Sequence, residues 1–276
     1  MKKILFPTDF SATSMNSGQY AVEIAKRTNA EMFILNVYSV TIYDPNMPAE
    51  LLMSATEQAE KSAKEALDKV CADFKAKGCE NVTCISRQGL VVDEIINFVD
   101  ENTIDLVVMG TTGEGGILEK IFGSNTSSVI AKTPKPVLAV PDEAKYNGIK
   151  TIVYATDLQE SETDEIIEVT QVAEIFDAEV VLLHICDKSE EVMIEEKNVL
   201  YEELKKNINY PNIGFELVHN EDIVKGIDNY IKNNPADIVA MATHHRSLLG
   251  RIFSKSLTKS MVYHTHTPLL AIERKD

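Results

Sequence analysis

Two short segments carry residue types and spacing suited to holding an anionic ligand. One is Gly110-Thr111-Thr112-Gly113-Glu114-Gly115-Gly116, followed by Gly123-Ser124-Asn125-Thr126-Ser127-Ser128; the other is Pro7-Thr8-Asp9. Glycine lets the backbone lie close against a ligand and take positive φ. Gly123-Ser124 opens a helix-like stretch, whose first N–H groups and positive dipole end attract anions. Ser124 and Thr126 add hydroxyl donors, and successive N–H groups can form an anion-binding nest. The glycine-rich stretch has one basic residue, Lys120, so phosphate recognition here would rest on backbone amides, with Asp9 a candidate ligand for a divalent cation. The loop is neither a Walker A sequence nor a GxGxxG fingerprint. Asp9 also reads as a helix N-cap ahead of Ser11-Ala12-Thr13-Ser14.

These segments need a scaffold of alternating strands and helices. Ile4–Phe6, Met32–Val37, Val82–Ser86, Leu106–Met109 and Val137–Val140 are apolar runs of strand length. The middle ones are almost uninterrupted, as strands covered on both faces should be. Between them, Ser11 to Lys26 begins with Ser/Thr cap candidates, Ala49 to Lys77 is rich in Ala, Glu and Lys, and Val91 to Val99 carries an i, i+4, i+8 apolar stripe. Alternation of this kind implies an α/β fold, a parallel sheet with right-handed crossovers and helices on both faces. Ligands of open α/β sheets bind beyond the carboxyl ends of the strands, and there lie Pro7-Thr8-Asp9, Val37-Tyr38 and Met109-Gly110-Thr111.

The pattern occurs twice. Lys3 to Phe10 returns as Thr151 to Leu158, and Ala30 to Val37 as Ala178 to Ile185, both displaced by 148 residues. Ile104 to Met109 returns as Ala236 to Met241, and Thr133 to Val140 as Thr265 to Ile272, both displaced by 132, so the second copy is 16 residues shorter in its middle. Four matches in one order mean a duplicated domain, read as residues 1–143 and 149–276 with a polar, turn-rich join from Pro141 to Gly148. The expected architecture is two tandem open five-stranded parallel sheets, Rossmann-like.

Charge narrows the partners. The chain of 276 residues has a formal net charge of −16, shared as −7 over residues 1–143 and −9 over the rest. Such a surface repels nucleic-acid phosphates and anionic lipid, which argues against either as a partner. The hydrophobic fraction of 44 % excludes general disorder, and no apolar run approaches the roughly 20 residues of a membrane span. The first apolar run is too short for a signal peptide and is broken by Pro7 and Asp9, so a cytoplasmic location is expected. Cys71, Cys79, Cys84 and Cys186 show no CxxC spacing and read as reduced thiols.

The spacing Gly110-x2-Gly113-x9-Gly123-Ser124, with the opening strand ending in Pro7-Thr8-Asp9 and the closing Pro136-Val137-Leu138-Ala139-Val140, resembles the universal stress protein family. The resemblance spans nearly the whole chain as two copies. It implies the adenine-nucleotide alpha-hydrolase-like fold, ATP or a related adenine nucleotide as ligand, and pairing of domains through the last strand; the divalent cation that Asp9 could ligate would be Mg2+. In this chain that pairing would join Val137–Val140 to Leu269–Ile272 antiparallel, an intramolecular pseudo-dimer. Carried over, Asp9 faces the ribose, Val37 meets the adenine through its backbone, and Gly110, Gly113, Gly123, Ser124 and Asn125 hold the phosphates. Pro7, Thr8, Met109, Thr111 and Thr126 complete the nucleotide-binding set.

The second copy departs from the motif. At a displacement of 132, Ala242, His245 and Lys255 stand for Gly110, Gly113 and Gly123; Ser256 survives, and Asp157 repeats Asp9. Nucleotide is therefore expected in the first repeat alone. All six histidines lie in the second copy. His244 and His245 fall at the opposite end of the sheet from His264 and His266, and His184 reads as structural, so no metal site is assigned. No catalytic base, nucleophile pair or arginine finger is recognisable, which favours a nucleotide-binding regulatory protein of the stress response, with a protein partner the sequence does not name. A slow ATPase or nucleotidyl-transfer enzyme, and an interaction module docking through Ala49–Lys77, are the alternatives.

Overall fold

The computed structural model describes residues 1–40, 48–111, 123–157, 162–186, 201, 206, 208–243 and 267–273. In the first half the elements are β1 (Lys3–Pro7), α1 (Ala12–Thr28), β2 (Glu31–Tyr38), α2 (Ala49–Ala76), β3 (Val82–Gln88), α3 (Val91–Asn102), β4 (Leu106–Gly110), α4 (Ser124–Lys132) and β5 (Val137–Val140). The second half gives β6 (Thr151–Ala155), α5 (Thr163–Phe176), β7 (Glu179–Cys186), β8 (Ile213–His219), α6 (Ile223–Asn233), β9 (Ile238–Thr243) and β10 (Leu269–Glu273).

The ten strands among the described residues form one sheet, in the order β3-β2-β1-β4-β5-β10-β9-β6-β7-β8. Each half is parallel within itself, and the halves meet where β5 and β10 run antiparallel, with Ala139 opposite Leu269, Leu138 opposite Leu270 and Val137 opposite Ala271. The two five-stranded sheets read from the sequence are thus halves of a continuous sheet. Both meeting strands are apolar, and Val137 to Val140 are fully buried. An unpaired apolar edge invites aggregation, and the antiparallel junction removes it from both halves.

The register repeats the duplication. Lys3 pairs with Glu31 as Thr151 pairs with Glu179, and Ile4 with Leu106 as Ile152 with Ile238. Asp105 Oδ2 accepts from the Lys2 and Lys3 backbone N–H groups, and Asp237 Oδ2 does the same for Lys150 and Thr151 at 2.7 and 3.0 Å. Asn29 and Asp177, one repeat apart, end α1 and α5 in the left-handed conformation at φ 51° and 55°. Short polar side chains tolerate that conformation better than most.

One apolar core runs beneath both halves on the face of α1, α2 and α5, including Phe6, Ile24, Leu67, Phe74, Tyr154 and Ile166. The other face carries two smaller cores, one under α3 and α4 and one under α6. Phe74 stacks on Phe6 at 5.5 Å. Gly18 permits this, since a Cβ there would lie 2.6 Å from Phe74 and 3.0 Å from Phe6. Across the halves, the Arg27 guanidinium sits over the Phe176 ring at 4.9 Å. The connecting segment is fastened to α1: Asn16 Nδ2 donates to the carbonyls of Pro141 at 3.0 Å and Ala144 at 2.7 Å.

The cysteines differ from the sequence expectation. Cys71 on α2 and Cys84 on β3 are joined in a disulfide with Cα atoms 6.3 Å apart, while Cys79 and Cys186 are free thiols. Their spacing of 13 residues shows nothing of this; the packing of a helix over its following strand brings them together. Among the described residues, no helix is long and apolar enough to cross a membrane.

Candidate functional site

The carboxyl ends of β1, β2 and β4 lie side by side, because β1 pairs with β2 on one flank and β4 on the other. The chain leaves β1 through a tight polar turn. Phe10, a non-glycine residue at φ 65°, makes the bend, a conformation that surrounding contacts must hold. Its N–H donates to Thr8 Oγ1 at 3.0 Å. Ser11 donates to Asp9 Oδ1 from its N–H at 3.0 Å and its hydroxyl at 2.6 Å. Ser11 Oγ then caps α1 by accepting from the Ser14 N–H at 3.2 Å. Ser11, two residues after the alternative reading of Asp9, is therefore the helix cap. Asp9 is exposed and holds Ser11 in place.

Pro7 and Thr8 support the site from within. Both are buried, and the Thr8 hydroxyl accepts from Ser14 Oγ at 2.7 Å. The Thr8 carbonyl accepts from Asn36 Nδ2 at 2.8 Å. Asn36, buried on β2, thereby locks the two strand tips; its chemistry gave no signal in the sequence because a lone Asn in an apolar run carries no motif.

Among the described residues, no strand pairs with the β1-facing backbone edge of Val37. Along β2, Glu31 and Leu35 bond towards β1, through Glu31 N–H to the Lys2 carbonyl at 2.8 Å and Thr8 N–H to the Leu35 carbonyl at 2.9 Å. Met32 and Tyr38 bond towards β3, at 2.9 Å to the Asn81 carbonyl and 3.1 Å from the Gly89 N–H. Val37 shares the parity of Glu31 and Leu35, so its N–H and C=O aim at the β1 side, past the last pair Pro7 with Leu35. There the β1 chain has turned away. A donor and an acceptor side by side match the hydrogen-bonding edge of a nucleobase.

At β4, the residues divide between scaffold and ligand face. Met109 is buried in the core under α3 and α4. Thr111 is buried, and its N–H donates to the Val140 carbonyl at 3.0 Å while its own carbonyl accepts from the Gly123 N–H. The Gly123 N–H is thus already used, and Gly123 has φ −56°, which does not need glycine. At Gly110 space is tight: a Cβ would lie 3.0 to 3.2 Å from Thr13, two of the three contacts being backbone atoms, so a side chain there would need the first turn of α1 to give by a few tenths of an ångström. Thr126 is buried and its hydroxyl donates to the Gly110 carbonyl at 2.7 Å. Ser124 and Asn125 remain exposed at the start of α4, whose Gly123 cap makes no side-chain hydrogen bond. Their amides, the Ser124 hydroxyl and the helix dipole form an anion-attracting end. Gly113 lies outside the described residues.

The described residues at the corresponding end of the second half include two carboxylates, Asp157 and Glu162. Thr156 and Asp157 repeat Thr8 and Asp9, and His184 repeats Asn36, its Nδ1 lying 2.9 Å from the Thr156 carbonyl. A carbonyl only accepts, so Nδ1 carries the proton. Where the first half has Ser14, the second has Glu162, which is 2 % exposed. Glu162 accepts from the Tyr154 hydroxyl at 3.2 Å and the Thr156 hydroxyl at 2.5 Å. Burial, with the charge of Asp157 adding to it against the Thr156 hydrogen bond, raises the Glu162 carboxyl to about 7. Burial beside the same carboxylates raises the Tyr154 phenol well above its ordinary value, so Tyr154 stays a donor. Ala242, in place of Gly110, is buried. His244, His245, Lys255, Ser256, His264 and His266 lie outside the described residues, and among the described residues no group of three potential metal ligands occurs.

The Universal stress protein family model matches this chain twice, over residues 1–141 and 148–273. The chain belongs to that family, as two tandem universal stress protein domains. It is 34 % identical over 145 residues to the universal stress protein MJ0531 of Methanocaldococcus jannaschii, covering 52 % of this chain and 84 % of that one. It is 30 % identical over 140 residues to the universal stress protein Sll1654 of Synechocystis, covering 51 % and 85 %. Its whole fold is similar to a solved universal stress protein from Archaeoglobus fulgidus, with a TM-score of 0.78 over 99 % of this chain and 98 % of that one at 18 % identity.

Proposed function

We propose that this universal stress protein binds ATP or a related adenine nucleotide, with Mg2+, in its first half, and that occupancy regulates a protein partner in the cytoplasm. The observation that carries this is the convergence, at one sheet end, of the Val37 backbone edge, the Asp9 carboxylate and the uncapped α4 N-terminus with its Ser124 hydroxyl. The donor set fits a nucleotide. Val37 would take the base edge, Asp9 the ribose hydroxyls, and the amides of Ser124 and Asn125 the phosphates, with Gly113 in the same loop. Pro7, Thr8, Met109, Gly110, Thr111, Gly123 and Thr126 build the frame that aims them. When bound, Mg2+ would neutralise phosphate charge, which an acidic chain otherwise repels.

The second half serves as a built-in partner. Its β10 fills the place on β5 that a second chain's last strand would take, making the molecule a pseudo-dimer in one chain, divided near residues 141–149. The second half lacks the glycines at the positions of Gly110, Gly113 and Gly123, where Ala242, His245 and Lys255 stand, which supports occupancy of the first half alone. Binding needs backbone donors only, whereas hydrolysis needs a positioned water and stabilisation of transition-state charge, so turnover is expected to be weak or absent. Purified protein, denatured and chromatographed, should release an adenine nucleotide or, if stripped, take up ATP on titration. Protein that carries no nucleotide and takes up none would overturn the proposal.

A further inference from the structure

The Cys71–Cys84 disulfide joins α2 to the edge strand β3. Among the described strands, β3 is outermost on its side, paired with β2 alone. None of its residues is fully buried. The 28 residues of α2 bury only Ala63, Leu67, Val70 and Phe74, all in the C-terminal part of the helix. The bond joins that part to the middle of β3, so helix and edge strand are held to each other as well as to the sheet. Beyond Cys84, β3 runs to Arg87 and Gln88, which pair with Val37 and Tyr38. Arg87 in turn bridges to Glu101 at 2.6 Å and Glu94 at 3.4 Å on α3.

The chemistry of exchange is confined to this pair. Cys71 and Cys84 are both half-buried, neither enclosed as Cys79 is. Cys79, between them in sequence, is 3 % exposed and packs its sulfur 3.8 Å from Met32 Sδ. Burial pushes its thiol up. It therefore stays protonated and does not attack the neighbouring bond, since only the thiolate is nucleophilic. Cys186 is in the other half.

We propose that Cys71–Cys84 is a reversible thiol–disulfide switch that sets how firmly α2 and the edge strand β3 are held on the sheet. A small-molecule thiolate attacks one sulfur, forms a mixed disulfide and releases the other cysteine as thiolate. A second thiolate displaces the remaining cysteine and leaves as the symmetrical disulfide. Two electrons pass from the reductant to the protein, and the released thiolates take up two protons. The reverse steps, with a small disulfide as oxidant, close the bond. Disulfides of reducing compartments are mostly transient or redox-sensing, which accords with a role in sensing oxidative conditions. Reduction reopens a loop of 13 residues, restoring the unfolded-state freedom that the bond removed.

Hydrogen exchange read by mass spectrometry on the full chain tests this, without nucleotide and therefore independently of the binding proposal. Wild type purified without reductant should show two free thiols on denaturation, and four after dithiothreitol treatment of the native protein. Reduction should speed exchange in residues 63–76 and 82–89 by roughly tenfold or more, with β6 and β7 unchanged. The Cys71→Ser/Cys84→Ser variant should exchange as the reduced form does and ignore dithiothreitol; should it fail to fold, the wild-type comparison alone decides. Reduction only after unfolding, four thiols at the outset, or unchanged exchange on reduction would each overturn the switch.

Discussion

Asn36 and His184 occupy one position in the two halves, and each fastens the second strand to the carbonyl at the tip of the first. Asn36 Nδ2 reaches the Thr8 carbonyl at 2.8 Å, and His184 Nδ1 the Thr156 carbonyl at 2.9 Å. Two chemically different donors have kept one hydrogen bond, which marks the bond itself as what each half requires. Asn36 Oδ1, by contrast, is buried with no partner among the described residues. Asn36→Leu removes that atom but strands the Thr8 carbonyl, and should destabilise the chain by about 1–3 kcal/mol, the cost of a buried acceptor left unpaired. Asn36→His, which copies the second half, should stay within about 1 kcal/mol of wild type. Urea denaturation measures both, and equal losses would show that packing, not the hydrogen bond, matters there.

Ser124 and Thr126 should separate binding from folding. The Thr126 hydroxyl is buried on the Gly110 carbonyl, so Thr126→Val should cost about 1–2 kcal/mol of stability. Ser124 is exposed, and Ser124→Ala should leave stability within about 0.5 kcal/mol. The same change should weaken ATP binding by up to roughly tenfold, one hydrogen bond to a charged group. Thermal melts and fluorescence titration with a nucleotide analogue would check the pair; a Ser124→Ala protein with unaltered affinity would remove that hydroxyl from the site.

Stability should depend on Glu162 in a defined pH window. Its folded value of about 7 lies above the ordinary carboxyl value of 4.5. The folded state then holds a proton that the unfolded state has released, so this contribution is full below about 4.5 and is lost as pH rises to about 7. Each unit of separation corresponds to about 1.4 kcal/mol. Glu162→Gln keeps a neutral, hydrogen-bonding side chain and should flatten that fall between these limits. Melts from pH 4.5 to 8 that decline equally in both proteins would place the dependence elsewhere.

Much of the frame was legible in the sequence because the strands are apolar runs and the duplication fixes their order. The displacements of 148 and 132 agree with the observed registers of β1, β2, β4 and β5 against their counterparts. The third strand was less legible: β8 follows β3 by 131 residues, and half-exposed edge strands carry weak patterns. The residues read from the sequence as the site that are described fall at the carboxyl ends of the strands, but residue type hid how they divide between scaffold and surface. Thr8, Met109, Thr111 and Thr126 turn inward, and nothing in residue type separates an inward threonine from an outward one. Glu162 sits in the polar run Gln159-Glu160-Ser161-Glu162, which reads as solvated surface, yet it is buried. The disulfide depends on the packing of α2 over β3, which spacing alone does not encode.

Titration calorimetry of the intact chain with ATP and Mg2+ tests the central claim most directly. One nucleotide per chain, with binding lost in Gly113→His, which copies His245 into the first loop, and retained in Asp157→Asn, is the result expected. Two nucleotides per chain, or binding that survives Gly113→His and disappears in Asp157→Asn, would contradict it and make the second half the working site.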